Sequence, residues 1–455
     1  MITRSREFMM DGFPAPDLIL SVLKEFLTGH ERLEKLRKAY ENERGIMKRT
    51  RPNGAPNNKI AHGFARYIVT MSSGYMLGKP VSYTDENQKA ALDSLLDAYK
   101  LAKIDSVDAE LAKDAAVYGR AVELLFSDEN ARPKSSAINP ESAFVVYDDT
   151  VQNKPLFGVY FNEIRDVEGT KTGYALHVYS DAFYSEYRVP SLSTIPGNPV
   201  QTVPTFFGSV PMVEYWNGED EQGDFEQVQS LIDAYDLLES DRVNDKEQFV
   251  NALLIITGAR LETDEGGRTP AQQLRQDRLL FLPDAEAKAE YLAQSMNEAD
   301  VEVLKNAIKA DIHKFSMVPD LTDEQFAGNA SGVAMRYKLL GLENLTRIKE
   351  RWFREALQDR MRLYAHFLNV KGAPALDVDR VLVTFSRSLP ENLLEISQMV
   401  SNLKNTVPDT LLLSQIPFVE NVDAAILLLK AQQAEALKAQ QAAFGVPQPM
   451  QEEEE

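Results

Sequence analysis

The chain has 455 residues, 44% apolar and 26% charged, with 69 acidic against 49 basic side chains and a formal charge of −20. Such totals fit a globular protein of about two to four domains. They make the chain a poor candidate for tight DNA binding, since that binding comes from Lys and Arg neutralising phosphates. The absence of cysteine excludes disulfides, thiolate zinc sites and cysteine nucleophiles. No apolar run reaches the ~18 residues of a membrane span, and MITRSREFMMDGF lacks the apolar block of a signal peptide.

In chain order, the first helix is expected from Asp17 through LILSVLKEFL and HERLEKLRKAYENE to about residue 43. Arg44 to Lys59 follows with five basic residues, no acidic ones, two prolines and an Asn pair. It reads most simply as an exposed loop, with contact to DNA or an acidic partner as the alternative. NNKIAHGFARYIVTM places Ile60, Phe64, Ile68, Met71 and Tyr75 at spacings of three and four, a helical pattern.

The continuation SSGYMLGKPVSY holds a Gly-x-x-x-Gly-Lys that superficially resembles a phosphate loop. A Walker loop needs four residues between its glycines, a Ser or Thr after its lysine and a strand before it. Gly74 and Gly78 are separated by three, and Pro80 follows Lys79. Proline brings neither hydroxyl nor N–H and disfavours helix at the residue before it. The stretch is therefore a helix ending at Gly78 that turns into a strand at Val81-Ser82-Tyr83.

Helices are next expected around Leu92, Leu95, Leu96 and Tyr99, and around Val107, Leu111, Ala115 and Tyr118. The period then changes. AVELLF (121–126), AFVVY (143–147), LFGVYF (156–161), YALHVYS (174–180) and FYSEYRV (183–189) are strand-like, and FFGSVPMVEYWN (206–217) closes the region. Residues 1–223 thus read as an α+β domain, helices first and an antiparallel sheet after.

From Asp224 to Ile256 a helix is expected, with Val228, Leu231, Ile232, Tyr235, Leu238 and Val243 on one side. At ~1.5 Å per residue it would be a rod of about 45 Å. It carries eight acidic and two basic residues, so its other face is expected to be strongly negative. A mixed segment (257–296) precedes a second helix over 297–317, and MVPDLTDEQFAGNAS interrupts the pattern. A long helix then runs from Ser331 to about Leu368, with Met335, Leu339, Leu342, Leu345, Ile348, Trp352, Met361, Tyr364 and Leu368 as its stripe and Gly341 as a bend. LDVDRVLVTFSRSLP (376–390) supplies one more strand, and Ser388-Leu-Pro-Glu391 reads as a capping box. The remainder is helical to about Phe444, with the repeat KAQQAEALKAQQA, and VPQPMQEEEE is expected to be a disordered acidic tail.

No catalytic motif emerges. The histidines, His30, His62, His177, His313 and His366, are scattered. Asp148-Asp149 and Asp377-Val-Asp379 sit at turns, where acidic pairs are usually solvated. Neither a Gly-x-Ser-x-Gly elbow nor a dinucleotide fingerprint occurs. The positive signal is the order of long rods around a small insert, which suits side-by-side packing in a ring. An ordinary helical domain in a monomer has the same periodicity.

Several segments in order carry a resemblance: NNKIAHGFARYIVTMSSGYMLGKPVSY, FFGSVPMVEYWN, DFEQVQSLIDAYDLLESDRVND, FAGNASGVAMRYKLLGLENLTRIKERWF, and SRSLPENLLE with SQIPFVENVDAA. Together they resemble portal proteins of tailed bacteriophages, of the siphophage head-to-tail connector type, over about residues 17 to 440. The resemblance implies a mostly helical α+β portal fold. Its wing is 1–223 with return strand 376–390, its stem helices are 224–256 and 297–317, and its clip is 257–296. A tunnel loop at 318–330, a long helix at 331–370 and a crown at 391–445 complete it, with 446–455 as the tail.

A homododecameric ring at one capsid vertex is further implied, passing double-stranded DNA in packaging and ejection. Its partners would be terminase, major capsid and scaffold proteins, and head-completion or adaptor proteins, with no membrane, cofactor, metal or ATPase of its own. It would belong to the virion, and to the host cytoplasm during assembly. The DNA-facing residues implied are Asp320, Thr322, Asp323, Glu324, Gln325, Phe326 and Asn329. An acid-rich stem suits a lining that touches DNA without gripping it. The basic excess of the long helix is expected to be met within it by Glu343–Arg347, Glu350–Arg354 and Arg351–Glu355 at i,i+4. Competing classes are a capsid-associated scaffold without a channel and a motor or nuclease subunit.

Overall fold

The computed structural model describes residues 1–10, 12–52, 55–85, 87–250, 253–257, 288–292, 298–321, 332–387, 393–404 and 406–413, with isolated residues at 263, 269, 416 and 419 and short pieces between 422 and 432. The chain divides into two compact units, Met1–Asp320 with Leu339–Ser388, and Leu321–Lys338 with Leu389–Glu455.

In the first unit, helix α1 (Pro16–Tyr40) opens with proline in its first turn, where the missing N–H is no loss. Ahead of it lie strand β1 (Ile2–Arg4) and the small hairpin β2 (Met9–Met10) and β3 (Phe13–Pro14). A six-stranded sheet runs β1, β7 (Ala143–Asp148), β8 (Pro155–Arg165), β9 (Lys171–Tyr179), β10 (Phe183–Val189), β11 (Gln201–Pro204). It is antiparallel except at β1, which pairs parallel with β7, an element the apolar patterning did not reveal. Phe26 of α1 stacks on Phe144 at 4.6 Å and meets Phe161 edge-on at 6.2 Å, so α1 covers one sheet face.

Helices α2 (Phe64–Leu77), α3 (Lys89–Ala102) and α4 (Ile104–Tyr118) lead to a second sheet, β12 (Met212–Trp216), β5 (Arg120–Ser127) and β6 (Pro133–Ile138). The corner at Gly78-Lys79-Pro80 is as expected: helix to Leu77, then strand β4 (Ser82–Thr84). Gly119 ends α4 at φ +84°, and a Cβ there would lie 1.9 Å from the Glu221 carbonyl oxygen, so only glycine fits.

One core gathers Leu95, Leu111, Tyr215 and Val383 around Phe353, Leu357, Met361, Tyr364 and Phe367. Those last five lie on α8 (Leu340–Val370), whose C-terminal side is followed by β15 (Leu382–Thr384), paired antiparallel with β4.

Two boundaries differ from the sequence reading. Helix α5 (Gln229–Val250) stops short of Ile256, and Leu253–Thr257 is strand β13, paired with β14 (Lys288–Leu292). β-branched residues at the end of a helical period explain the change. The partner helix α6 (Glu298–Ser316) matches its expected span. The long helix is interrupted at Leu339 (φ −89°, ψ 0°) rather than bent at Gly341. The second unit contains α7 (Gly332–Lys338), α9 (Leu393–Leu403) and α10 (Asp409–Leu413). The capping box, all of the repeat but Lys430 and Gln432, and the acidic tail lie outside the described residues.

Candidate functional site

Helix α5 departs from a simple apolar stripe. Val228 just before it, with Ile232 and Tyr235, is buried, but Val243 is 38% exposed. In its place Asp236, Ser240 and Asn244 are fully buried, one per turn. Each accepts a hydrogen bond from an alternate backbone N–H of an extended strap. Asn58 N–H donates to Asn244 Oδ1 at 2.6 Å, Ile60 N–H to Ser240 Oγ at 2.9 Å, and His62 N–H to Asp236 Oδ1 at 2.9 Å. The periods match, because four helical residues advance about 6 Å and two extended residues about 6.6 Å. A run of small polar residues at i, i+4, i+8 was the available signal, and a search for apolar periodicity passes over it.

The basic segment before this strap is exposed only in part, at Gly45, Met47, Lys48, Thr50 and Pro52, and its arginines are engaged. Arg44 is 3% exposed, with Nη2 2.6 Å from Asp233 and Nε 3.6 Å from Asp236. Arg49 and Arg51 converge on Asp241 Oδ1 at 2.6 and 2.5 Å. The expected strongly negative helix face is corrected by the same contacts. Of its eight acidic residues, Asp224 meets Lys349, Glu226 Arg32, Asp233 and Asp236 Arg44, Glu239 Lys305, Asp241 Arg49 and Glu247 Asn58. Among the described residues Asp245 is the exception.

Helices α5 and α6 run antiparallel, zipped by Glu239–Lys305 at 3.8 Å, Arg242–Glu302 at 2.9 Å and Lys246–Glu298 at 2.6 Å. The Lys246 and Arg242 cations hold the Glu298 carboxyl below its ordinary range. Leu237, Val243, Val303 and Leu304 remain 47%, 38%, 70% and 51% exposed on the two helices.

The end of α6 is anchored. Tyr67 donates its hydroxyl to the Pro319 carbonyl at 2.9 Å, His313 Nδ1 lies 2.9 Å from the Val318 carbonyl, and Lys309 pairs with Asp320 at 2.6 Å. Of the expected DNA-facing residues, only Asp320 is described, and Lys309 engages its carboxylate. Thr322, Asp323, Glu324, Gln325, Phe326 and Asn329 lie outside the described residues.

On α8, Glu343–Arg347 forms as expected at 2.8 Å. Glu350 instead takes Arg387, which also binds Glu343 at 2.8 Å and holds its carboxyl down at about 2. Arg354 lies over the Phe385 ring, and Arg351–Glu355 does not form. The buried stripe of α8 also includes Thr346, Lys349 and Arg360, whereas Ile348 is 50% exposed. Arg360 is fully buried, 2.5 Å from Asp108 and 2.9 Å from Glu123. Burial still pushes the Asp108 carboxyl up. Lys349 meets the buried Asp224 at 2.6 Å.

No group of three or more potential metal-ligating His, Asp or Glu occurs among the described residues, and no described helix is long and apolar enough to cross a membrane. The described residues thus form a helical hairpin extended by a β ladder, clasped by a strap and joined to an α+β body. The profile of the family described as "Phage portal protein, SPP1 Gp6-like" matches residues 21–439, and the chain belongs to that family.

The chain is 23% identical over 414 residues to a portal protein of Clostridium phage phiCD119, covering 85% of this chain and 89% of that one. It is also 23% identical over 406 residues to the portal protein of Bacillus phage SPP1, covering 84% and 76%. Among solved structures, a chain from the neck of an empty GTA particle computed with C6 symmetry aligns at a TM-score of 0.42 and 12% identity, covering 81% of this chain and 90% of that one. As a phage portal protein the chain is a structural component of the virion.

Proposed function

We propose that copies of this chain close into a ring, twelve in number as the family resemblance implies, at one vertex of a phage head. Double-stranded DNA passes through the ring during packaging and ejection. Terminase docks on the hairpin end around β13 and β14, and head-completion proteins replace it there. The residues 322–326 and Asn329 approach the duplex, with Asp320 as the anchored start of that loop.

One observation carries the conduit reading. Arg242, Lys246, Lys305 and Lys309, all the Lys and Arg of α5 and α6 except Lys314, lie within 4.0 Å of carboxylates. Lys314 lies over the Phe315 ring. A duplex moving along such helices finds its phosphate partners already taken, so little binding free energy has to be broken at each step.

Imaging of the purified chain is expected to show rings with a central opening; solitary particles alone would defeat the proposal. Asp323→Lys with Glu324→Lys is expected to leave rings intact and lower packaged DNA at least about tenfold. Wild-type packaging by that variant removes the loop from the DNA path.

A further inference from the structure

Arg360 of α8 stands between two carboxylates of the body, Asp108 of α4 and Glu123 of β5, and the three are 0%, 4% and 0% exposed. One guanidinium thus faces two acids. Among the described residues no other Lys or Arg comes within 4.0 Å of either. Around them lie Tyr83 of β4, Tyr99 of α3, Tyr215 of β12 and Tyr364 of α8, with Asp105 one turn before Asp108. Burial pushes all four tyrosine hydroxyls up, so they bring no charge at ordinary pH. With both acids ionised the pocket would hold a net negative charge away from water, which is a costly arrangement.

The two acids are not equivalent. Arg360 Nε lies 2.9 Å from both oxygens of Glu123, and the Tyr215 hydroxyl donates to Glu123 Oε2 at 2.6 Å. Donors aimed at a carboxylate favour its charged form. Asp108 meets Arg360 Nη2 alone, 2.5 Å from Oδ1, and among the described residues no hydroxyl or backbone N–H donates to that oxygen. Burial pushes the Asp108 carboxyl up, and the Glu123 and Asp105 charges add to it against the pull of Arg360.

We propose that the clasp holding α8 to α4 and β5 carries one bound proton at neutral pH, on the Asp108 carboxyl, and so acts as a pH-sensitive element of the fold. In that state the Arg360 cation and the Glu123 carboxylate balance. Release of the proton leaves an unbalanced negative charge under α8, and alkaline solution loosens the hold on that helix. The folded chain keeps a proton that unfolded Asp108 gives up above about pH 4, so its contribution to stability is full below that value and declines as pH rises. The proposal does not depend on ring formation.

Urea melts of the full chain at one fixed protein concentration test it. Between about pH 5 and 7, unfolding of the wild type is expected to release about one more proton than unfolding of Asp108→Asn. At pH 7 the urea midpoint of Asp108→Asn is expected at or above the wild-type value, and that of Glu123→Gln below it. The infrared difference between wild type and Asp108→Asn at pH 7 is expected to contain the carbonyl band of a protonated carboxyl. Equal proton release by wild type and Asp108→Asn, or no such band, overturns the proposal. A midpoint lower in Asp108→Asn than in Glu123→Gln places the proton on Glu123 and overturns it as well.

Discussion

Ser240→Ala tests the strap directly. The substitution removes one oxygen from a fully buried position and leaves the Ile60 N–H, now 2.9 Å from that oxygen, without its partner. An orphaned buried donor costs about 1–3 kcal/mol. Opening of the strap then becomes easier by that amount, and protection of the Ile60 amide against hydrogen exchange is expected to fall roughly 5- to 100-fold. The Asn58 and His62 amides keep Asn244 and Asp236 and are expected to change less. Leu237→Ala, at an exposed position on the same helix, serves as the control and should leave all three amides unchanged. Exchange is measured by mass spectrometry or NMR on the full chain. An Ile60 amide that exchanges at the wild-type rate in Ser240→Ala refutes the strap as a hydrogen-bonded element.

Arg360→Met leaves Asp108 and Glu123 buried without their cation and is expected to cost about 3–5 kcal/mol in urea unfolding. Adding Asp108→Asn and Glu123→Gln should recover part of that loss, and no recovery shows that packing, not charge, set it. Burial raises the Asp114 carboxyl to about 6, with Lys113 opposing only in part. The folded form thus holds its proton more tightly than the unfolded one. The cost of the buried charge is present above pH 6 and disappears as pH falls toward the unfolded value near ~4. Asp114→Asn is therefore expected to stabilise by up to about 3 kcal/mol at neutral pH and by little near pH 4, and a gain independent of pH in denaturant melts contradicts this. Gly119→Ala is expected to destabilise by roughly 2–4 kcal/mol, from positive φ and the approach of the Glu221 carbonyl. An unchanged Tm by calorimetry refutes that assignment.

Elements whose burial is apolar were legible from the chain alone. The Gly78–Pro80 corner, α3, α4, β10 and α6 fall within a few residues of their expected spans, since a single period and ordinary turn residues define each. Failures occur where the buried stripe is polar. On α5 the sequence points to Val243, but Asn244 faces inward. On α8 it points to Ile348, yet Lys349 and Arg360 are buried. Charge and amide groups enter a core only when distant partners meet them, and no local pattern reveals partners such as Asp224 or Glu123. The pairing of Arg44, Arg49 and Arg51 is hidden from the sequence for the same reason, because their acceptors lie far along the chain. Asp320 was placed at the loop on family likeness, and its pairing with Lys309 is a contact that spacing does not show.

Strap and helix are 180 residues apart at the Ile60–Ser240 contact. Ribosomal synthesis therefore delivers residues 44–62 well before the helix that clasps them, and the three inward acceptors of α5 stay wet until the two meet. Recombination between phages that exchanges one segment without the other would set mismatched side chains against bare amides. Viable hybrids at this locus should inherit the pair together.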